Sequence, residues 1–110
     1  MKSKNKTSNN IIRHIVCFKF KKNAKGTDID NLIKSFFSLQ HKIPDIISIE
    51  GGKNNSPENL NKGLTHCFLI TFKDKKARTN YLPHPEHQAF VDSLKPILKD
   101  AFVIDYNPIS

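Results

Sequence analysis

The stretch Thr65-His-Cys-Phe-Leu-Ile-Thr-Phe72 decides the fold, because its side chains alternate with the two-residue period of a β-strand. One face carries the large side chains His66, Phe68, Ile70 and Phe72. The other face carries Cys67 and Leu69, which are also apolar. We therefore predict a strand that is covered on both of its sides rather than one that faces water.

Residues 12–20 repeat this alternation near the beginning of the chain and predict a second strand. One face carries Ile12, His14, Val16, Phe18 and Phe20. The opposite face carries Arg13, Ile15, Cys17 and Lys19. The apolar residues of this second face would be exposed unless another element covered them.

A helix, a short strand and a loop are predicted between these two strands. Thr27 is a candidate N-cap, and the residues after it repeat at helical spacing: Ile29, Leu32, Ile33, Phe36, Phe37 and Gln40. Pro44 ends this helix. The short strand spans residues 46–50 and is broken by Gly51-Gly52, and residues 53–62 form a polar loop.

The last third of the chain predicts a short helix from Asp74, a longer helix from His84 to Leu98, and a final strand from Ala101 to Tyr106. The order β-α-β-β-α-β is that of a ferredoxin-like α+β fold, with four antiparallel strands and helices on one face. A homodimer that packs its two sheets face to face would cover the other face.

The length of 110 residues, 37% of them hydrophobic, predicts one domain. No apolar run reaches the roughly 18 residues of a membrane-spanning helix, so no membrane partner is expected. Residues 1–10 are polar and basic and lack the apolar core of a secretory signal. They predict a disordered basic tail before a domain over residues 11–110, and a cytoplasmic location is the simplest interpretation.

The formal net charge of +8 raises the question of a nucleic-acid partner. The basic residues are spread over the tail, residues 19–25 and residues 73–78, and they form no single helical stripe. No aromatic RNA-binding motif accompanies them. A nucleic-acid partner is therefore not expected.

The two cysteines, Cys17 and Cys67, fall inside predicted strands among apolar neighbours. Buried free thiols usually occupy such positions. Neighbouring strands could also bring the two close enough to form a disulfide, although free thiols fit the expected cytoplasmic location.

The stretch Tyr81-Leu-Pro-His-Pro-Glu-His87 concentrates groups that can move protons. Pro85 suits the first turn of a helix, so His84 and His87, three positions apart, share a helix face. Tyr81 lies just upstream and can approach His87 across the turn. A phenol beside an imidazole is a candidate proton-transfer pair.

His14 and His66 have the parity of the large apolar side chains and should point towards the helices. With Tyr81, His84 and His87 they predict an apolar small-molecule pocket. The candidate walls of this pocket are Phe18, Phe36, Phe68, Phe72 and Phe90. The first and third strands run antiparallel, however, so the two strand histidines should lie towards opposite ends of the sheet.

Residues 12–20, 63–72, 81–87 and 105–108 resemble the stress-responsive A/B barrel (Dabb) domain family. The resemblance covers nearly the whole chain beyond the tail. It implies a dimer in which two sheets pair into a barrel. It also implies kinship with olivetolic acid cyclase-like proteins.

By this resemblance, Tyr81 and His87 match the active-site tyrosine and histidine of the cyclases, and His14, His66 and His84 match further histidines. The implied chemistry is removal of a proton next to a carbonyl by His87, while Tyr81 holds the substrate. Family members without an assigned reaction carry the same element. The alternative is therefore a non-catalytic, stress-related protein that binds a small hydrophobic ligand.

Each of these side chains also has a structural interpretation. His84 can cap the helix, and His14 and His66 can be hydrogen-bonded core histidines. Tyr81 and His87 can form a hydrogen bond without any catalytic role, because buried polar groups need partners.

A metal site is a weaker hypothesis. His84 and His87 share one helix face, and His66 or His41 could join them, but no acidic or cysteine cluster completes a zinc spacing. No cofactor is therefore predicted. A magnesium ion held by backbone oxygens, which the resemblance implies for some members, would leave no side-chain signature.

Overall fold

The chain folds into one antiparallel sheet with helices against one face. The computed structural model describes residues 10–109, so the predicted tail, except for Asn10, lies outside the described residues. The elements are β1 (Ile12–Phe20), α1 (Gly26–Lys42), β2 (Ile46–Lys53), β3 (His66–Phe72), α2 (Lys75–Tyr81), α3 (Pro85–Leu94) and β4 (Leu98–Tyr106). The strand order is β2-β3-β1-β4 with antiparallel neighbours, which confirms the predicted ferredoxin-like α+β fold.

The core lies between the sheet and the helices. Alternate residues of β1 are buried, starting with Ile12, so the parity assigned from the sequence holds along the strand. The ring of Phe36 on α1 stacks on that of Phe90 with centroids 4.5 Å apart and lies 4.8 Å from that of Phe68. These aromatic contacts join α1 and α3 of the helix layer to β3 of the sheet in one core.

The opposite face of the sheet, called the open face below, carries exposed apolar side chains. On β4 these are Phe102, Ile104 and Tyr106, each between 46% and 50% exposed. Cys17 and Cys67 lie on this face as free thiols and are direct partners in the β1–β3 register. Among the described residues, no helix is long and apolar enough to cross a membrane.

The prediction that Thr27 caps the first helix is wrong. The helix begins at Gly26, its N-cap is Lys25, and no side chain makes a cap hydrogen bond there. The first turn is exposed, so water can satisfy its free N–H groups and no side-chain acceptor is required.

The prediction that Gly51-Gly52 breaks the second strand is also wrong, because the ladder continues to Lys53. Gly51 pairs with Phe68, and a Cβ at this glycine would lie 2.5 Å from the Cys67 carbonyl oxygen and from the Phe68 ring. The missing side chain therefore makes room for Phe68 instead of ending the strand.

The last helix is shorter than predicted and the last strand is longer. The helix ends at Leu94, and β4 starts at Leu98 instead of Ala101. Ile97 and Leu98 extend the helical spacing, but Pro96 cannot donate a backbone hydrogen bond and so stops the helix.

Candidate active site

A cavity of about 270 Å³ lies between the sheet and the last two helices. Its walls are mostly apolar and include the predicted Phe18, Phe36 and Phe90. Its polar side chains are His14 from β1, Tyr81 from the end of α2 and His87 from α3. Ala101 and Val103 of β4 are lining residues that are exposed, so the mouth lies beside this edge strand.

His14 is held by a carboxylate from the neighbouring strand. Its Nδ1 lies 2.6 Å from Oδ1 of Asp105, its partner in the β1–β4 register. Arg78 Nη1 donates to the other oxygen of Asp105 at 3.0 Å. A carboxylate accepts hydrogen bonds, so Nδ1 of His14 carries a hydrogen and Nε2 is the ring nitrogen that is not held by Asp105.

His87 is held in a similar way by the backbone. Its Nδ1 lies 2.9 Å from the Leu82 carbonyl oxygen, which can only accept, so Nδ1 carries the hydrogen and Nε2 carries the lone pair. Burial lowers the pKa of His87, and His14 and His84 lower it further, while the bond to Leu82 acts in the opposite direction. The ring is therefore neutral at neutral pH and can accept a proton.

Tyr81 is packed against the imidazole of His87. Its side chain is 1% exposed, and the two ring centroids lie 4.2 Å apart at an interplanar angle of 41°. Burial raises the pKa of the Tyr81 hydroxyl, which therefore keeps its proton. Within residues 10–109 neither His87 nor any other residue makes a hydrogen bond with this hydroxyl, so the contact between the two residues is one of rings.

His84 lies outside the cavity lining and caps α3. Its Nδ1 accepts a hydrogen bond from the Glu86 backbone N–H at 3.1 Å, and Pro85 occupies the first helical turn. This is the cap role that the proline-bracketed sequence allows.

His66 lies four register positions from the residue opposite His14, at the other end of the sheet. It lines a separate cavity of about 250 Å³ with Phe68, Asp30 and Lys53. Burial, followed by the positive charge of Lys53, lowers the pKa of His66, and Asp30 acts in the opposite direction. The predicted single pocket is therefore divided between two ends of the molecule.

Phe72 lies outside the cavity lining as well, but it packs against two residues that line the cavity. It is fully buried, and its ring contacts those of His14 and Tyr81, with centroids 5.8 Å and 5.0 Å away. Of the eight residues predicted to form the pocket in addition to Tyr81 and His87, the structure places His14, Phe18, Phe36 and Phe90 in its lining.

Asp105 and Arg78 are site residues that the sequence analysis missed. The only local signal was a carboxylate inside the otherwise apolar run Ala101-Phe-Val-Ile-Asp-Tyr106. The contact of Asp105 with His14 depends on the β1–β4 pairing, which joins residues from opposite ends of the chain, and Arg78 reaches the site through Asp105. Within residues 10–109, no group of three or more His, Cys, Asp or Glu side chains is placed to hold a metal ion.

Known proteins share this fold and about a quarter to a third of this sequence. The stress-response A/B barrel domain-containing protein HS1 of Arabidopsis thaliana is 35% identical over 90% of this chain and 91% of its own length. A hydroxynitrile lyase from Passiflora edulis is 26% identical, with a TM-score of 0.83 over 89% of this chain and 93% of the lyase.

A dimeric ferredoxin-like protein of unknown function from Bacteroides fragilis is 25% identical, with a TM-score of 0.71 over 89% of this chain and 96% of that protein. The model of the stress responsive A/B barrel domain family matches residues 12–108. This range contains all seven strands and helices and the candidate site, and the chain belongs to the stress responsive A/B barrel domain family.

Proposed function

We propose that this protein is a homodimer that performs acid–base chemistry, of the cyclase or lyase type, on a small carbonyl compound. The observation that carries the proposal is that His14, Tyr81 and His87 line one apolar cavity. Three groups that can donate or accept protons, inside a cavity of about 270 Å³, suit a small ligand with one or two carbonyl oxygens.

His87 is the general base of this proposal. Its Nδ1 is committed to the Leu82 carbonyl, so the Nε2 lone pair is the one that can take a proton from a carbon next to a carbonyl. The lowered pKa keeps this nitrogen unprotonated at neutral pH. A base that is neutral at the working pH is ready to act in every molecule of the protein.

Tyr81 assists as the donor to the carbonyl oxygen. Its raised pKa keeps the phenol protonated, and its hydroxyl has no hydrogen-bond partner among residues 10–109. When a proton leaves the neighbouring carbon, negative charge develops on the carbonyl oxygen, and a phenol hydrogen bond stabilises that charge. The resulting enolate carbon can then attack a second carbonyl in the same molecule.

His14 is a second group that can move a proton at the same cavity. Asp105 orients its ring, and Arg78 holds Asp105, so Nε2 of His14 has a defined position. The likeness to a hydroxynitrile lyase adds support, since that relative is an enzyme of the lyase class with 26% identity to this chain.

The dimer is proposed through the open face. Phe102, Ile104 and Tyr106 are about half exposed there, and apolar patches of this kind usually mark an interface. A dimeric relative from Bacteroides fragilis has the same fold. We expect light scattering to give the mass of two chains, and a monomer at micromolar concentration would contradict this part of the proposal.

A second candidate function is binding of a small hydrophobic ligand without turnover. It is favoured by the aromatic and aliphatic lining, to which Val16, Phe18, Phe36, Phe90 and Leu94 contribute. Binding without any product over long incubation would select this function.

The test is a screen of small carbonyl compounds and hydroxynitriles, followed by variants at the base. His87→Ala should lower turnover by about 10²- to 10⁴-fold, since that is the usual contribution of a general base. His41→Ala is the matched control, because His41 is an exposed histidine on α1 outside the cavity lining. An equally active and folded His87→Ala protein would refute the assigned role.

A further inference from the structure

The open face holds a second pair of reactive groups, on the side of the sheet opposite the candidate site. Cys17 on β1 and Cys67 on β3 are Cα partners in the antiparallel register, and both are free. The chain contains two cysteines, so each thiol faces the single other thiol of its own chain. The Cys67 side chain contributes to the raised pKa of Cys17, as expected of two neighbouring thiols.

The backbone already satisfies most of the geometry of a disulfide. Directly opposite residues of antiparallel strands have Cα atoms roughly 4.5–5.5 Å apart, and disulfides span Cα separations of about 4.4–6.8 Å. We propose that Cys17 and Cys67 form a reversible intrachain disulfide when a peroxide oxidises them. This inference rests on the strand register and does not depend on the acid–base chemistry of the proposed function. The two thiols do share the open face with the proposed dimer interface.

The bond is expected to be easy to reduce again. Opposite Cβ atoms in a sheet lie about 4.5–5.5 Å apart, whereas disulfides prefer about 3.5–4.5 Å. Closing the bond must therefore draw β1 and β3 together, and strained disulfides are the ones that thiol reductants open readily. A bond of this type suits a reversible modification better than a permanent crosslink.

Cys67 is the first target of the oxidant. It is exposed, while Cys17 is half-buried, and burial together with Cys67 raises the pKa of Cys17 to about 12. Peroxide transfers one oxygen to the Cys67 sulfur, which becomes a sulfenic acid and releases water. The Cys17 sulfur then attacks the Cys67 sulfur, the S–S bond forms and the S–O bond breaks. The hydroxide leaves with the Cys17 proton as a second water.

In a single protomer, a groove gives a molecule as small as hydrogen peroxide access to the thiols, and in the proposed dimer the peroxide must enter where the partner leaves the groove open. Both cysteines line it, together with Leu60, Leu64 and Phe102, and its volume is about 490 Å³. It extends to the exposed loop between β2 and β3, at the end of the sheet.

The experiment treats the fully reduced, full-length protein with hydrogen peroxide and then alkylates the remaining thiols under denaturing conditions. We expect an intact mass that has lost two hydrogen atoms and gained no alkyl group, and a peptide that joins Cys17 to Cys67. Dithiothreitol should restore both thiols. Two alkylated thiols, at a peroxide dose that oxidises an exposed control thiol completely, would overturn the proposal.

A variant tests the order of the two steps. In Cys17→Ser the sulfenic acid on Cys67 has no partner, so trapping by dimedone should rise at least about tenfold over the wild type, where the neighbouring thiol consumes it. Disulfides between chains, or a stable sulfenic acid on wild-type Cys67 beside an alkylatable Cys17, would also overturn the proposal. These wild-type outcomes decide the matter even if the variant fails to fold.

Discussion

His14 and His66 are alike in type, burial and sheet face, yet they have different surroundings. Each is 7% exposed on the helix side of the sheet. His14 donates to a β4 carboxylate that Arg78 also holds, whereas His66 bonds to the hydroxyl of Thr65 and packs edge-on against Phe20. Parity along a strand decides which face a histidine reaches, but the neighbouring elements decide which chemistry is available to it.

Removal of the carboxylate should produce the largest change in stability. We expect Asp105→Ala to lower the free energy of unfolding by about 3 kcal/mol, because it leaves Arg78 and His14 without their acceptor. The matched change at the other histidine, Thr65→Val, should cost about 1 kcal/mol, since it removes only neutral hydrogen bonds, the short one to His66 and a long one to the Phe18 carbonyl. Urea unfolding measures both values, and equal costs would mean that the two histidines are held alike.

A substitution near His66 should lower the free energy of unfolding by less than Asp105→Ala does. Gly51→Ala should cost about 2 kcal/mol, because the new Cβ would lie 2.5 Å from the Cys67 carbonyl oxygen and the Phe68 ring. Gly52→Ala is the control, since a Cβ there meets no atom within 4 Å. Thermal unfolding of the pair checks this prediction, and an unaffected Gly51→Ala protein would show that β2 can move away at little cost.

The smallest effect should be a dependence of the free energy of unfolding on pH, to which His66 and His87 both contribute. The folded pKa values of His66 and His87 are lowered from 6.5, so the unfolded chain gains protons first as the pH falls. The free energy of unfolding should therefore decrease below about pH 6.5 until these lowered pKa values are passed, and stay level above it. Urea unfolding between pH 5 and pH 8 of His66→Gln and His87→Gln tests this, because each variant should show a weaker decrease. A wild-type stability that stays constant or rises on acidification would contradict the prediction.

The sequence was most informative where the spacing of apolar side chains alone determines a strand or a helix. The bounds of β1 and the helix-side parity of His14 and His66 could be predicted, because burial of alternate side chains is a local property of a strand. The separation of the two histidines also follows from strand direction. Asp105 and Arg78 could not be assigned to the site in the same way, since their contacts depend on the register between β1 and β4.

The errors at element ends have a common physical origin. Thr27 and the two glycines were interpreted by their usual local preferences, but solvent exposure removed the need for a cap, and the Phe68 ring required the space at Gly51. Tertiary packing and solvent therefore overrode residue preferences at these positions.

The edge position of β4 has a consequence for the tendency of the protein to aggregate. Residues 101–104, Ala-Phe-Val-Ile, form an uncharged apolar run on a strand whose outer edge has no neighbour in the described sheet. Such a segment is prone to intermolecular β-pairing, and acidic residues on either side commonly restrain it. Asp100 and Asp105 occupy these two flanking positions. We expect the carboxylate that orients His14 also to restrain such pairing, so its loss should shorten the time for which the protein stays in solution.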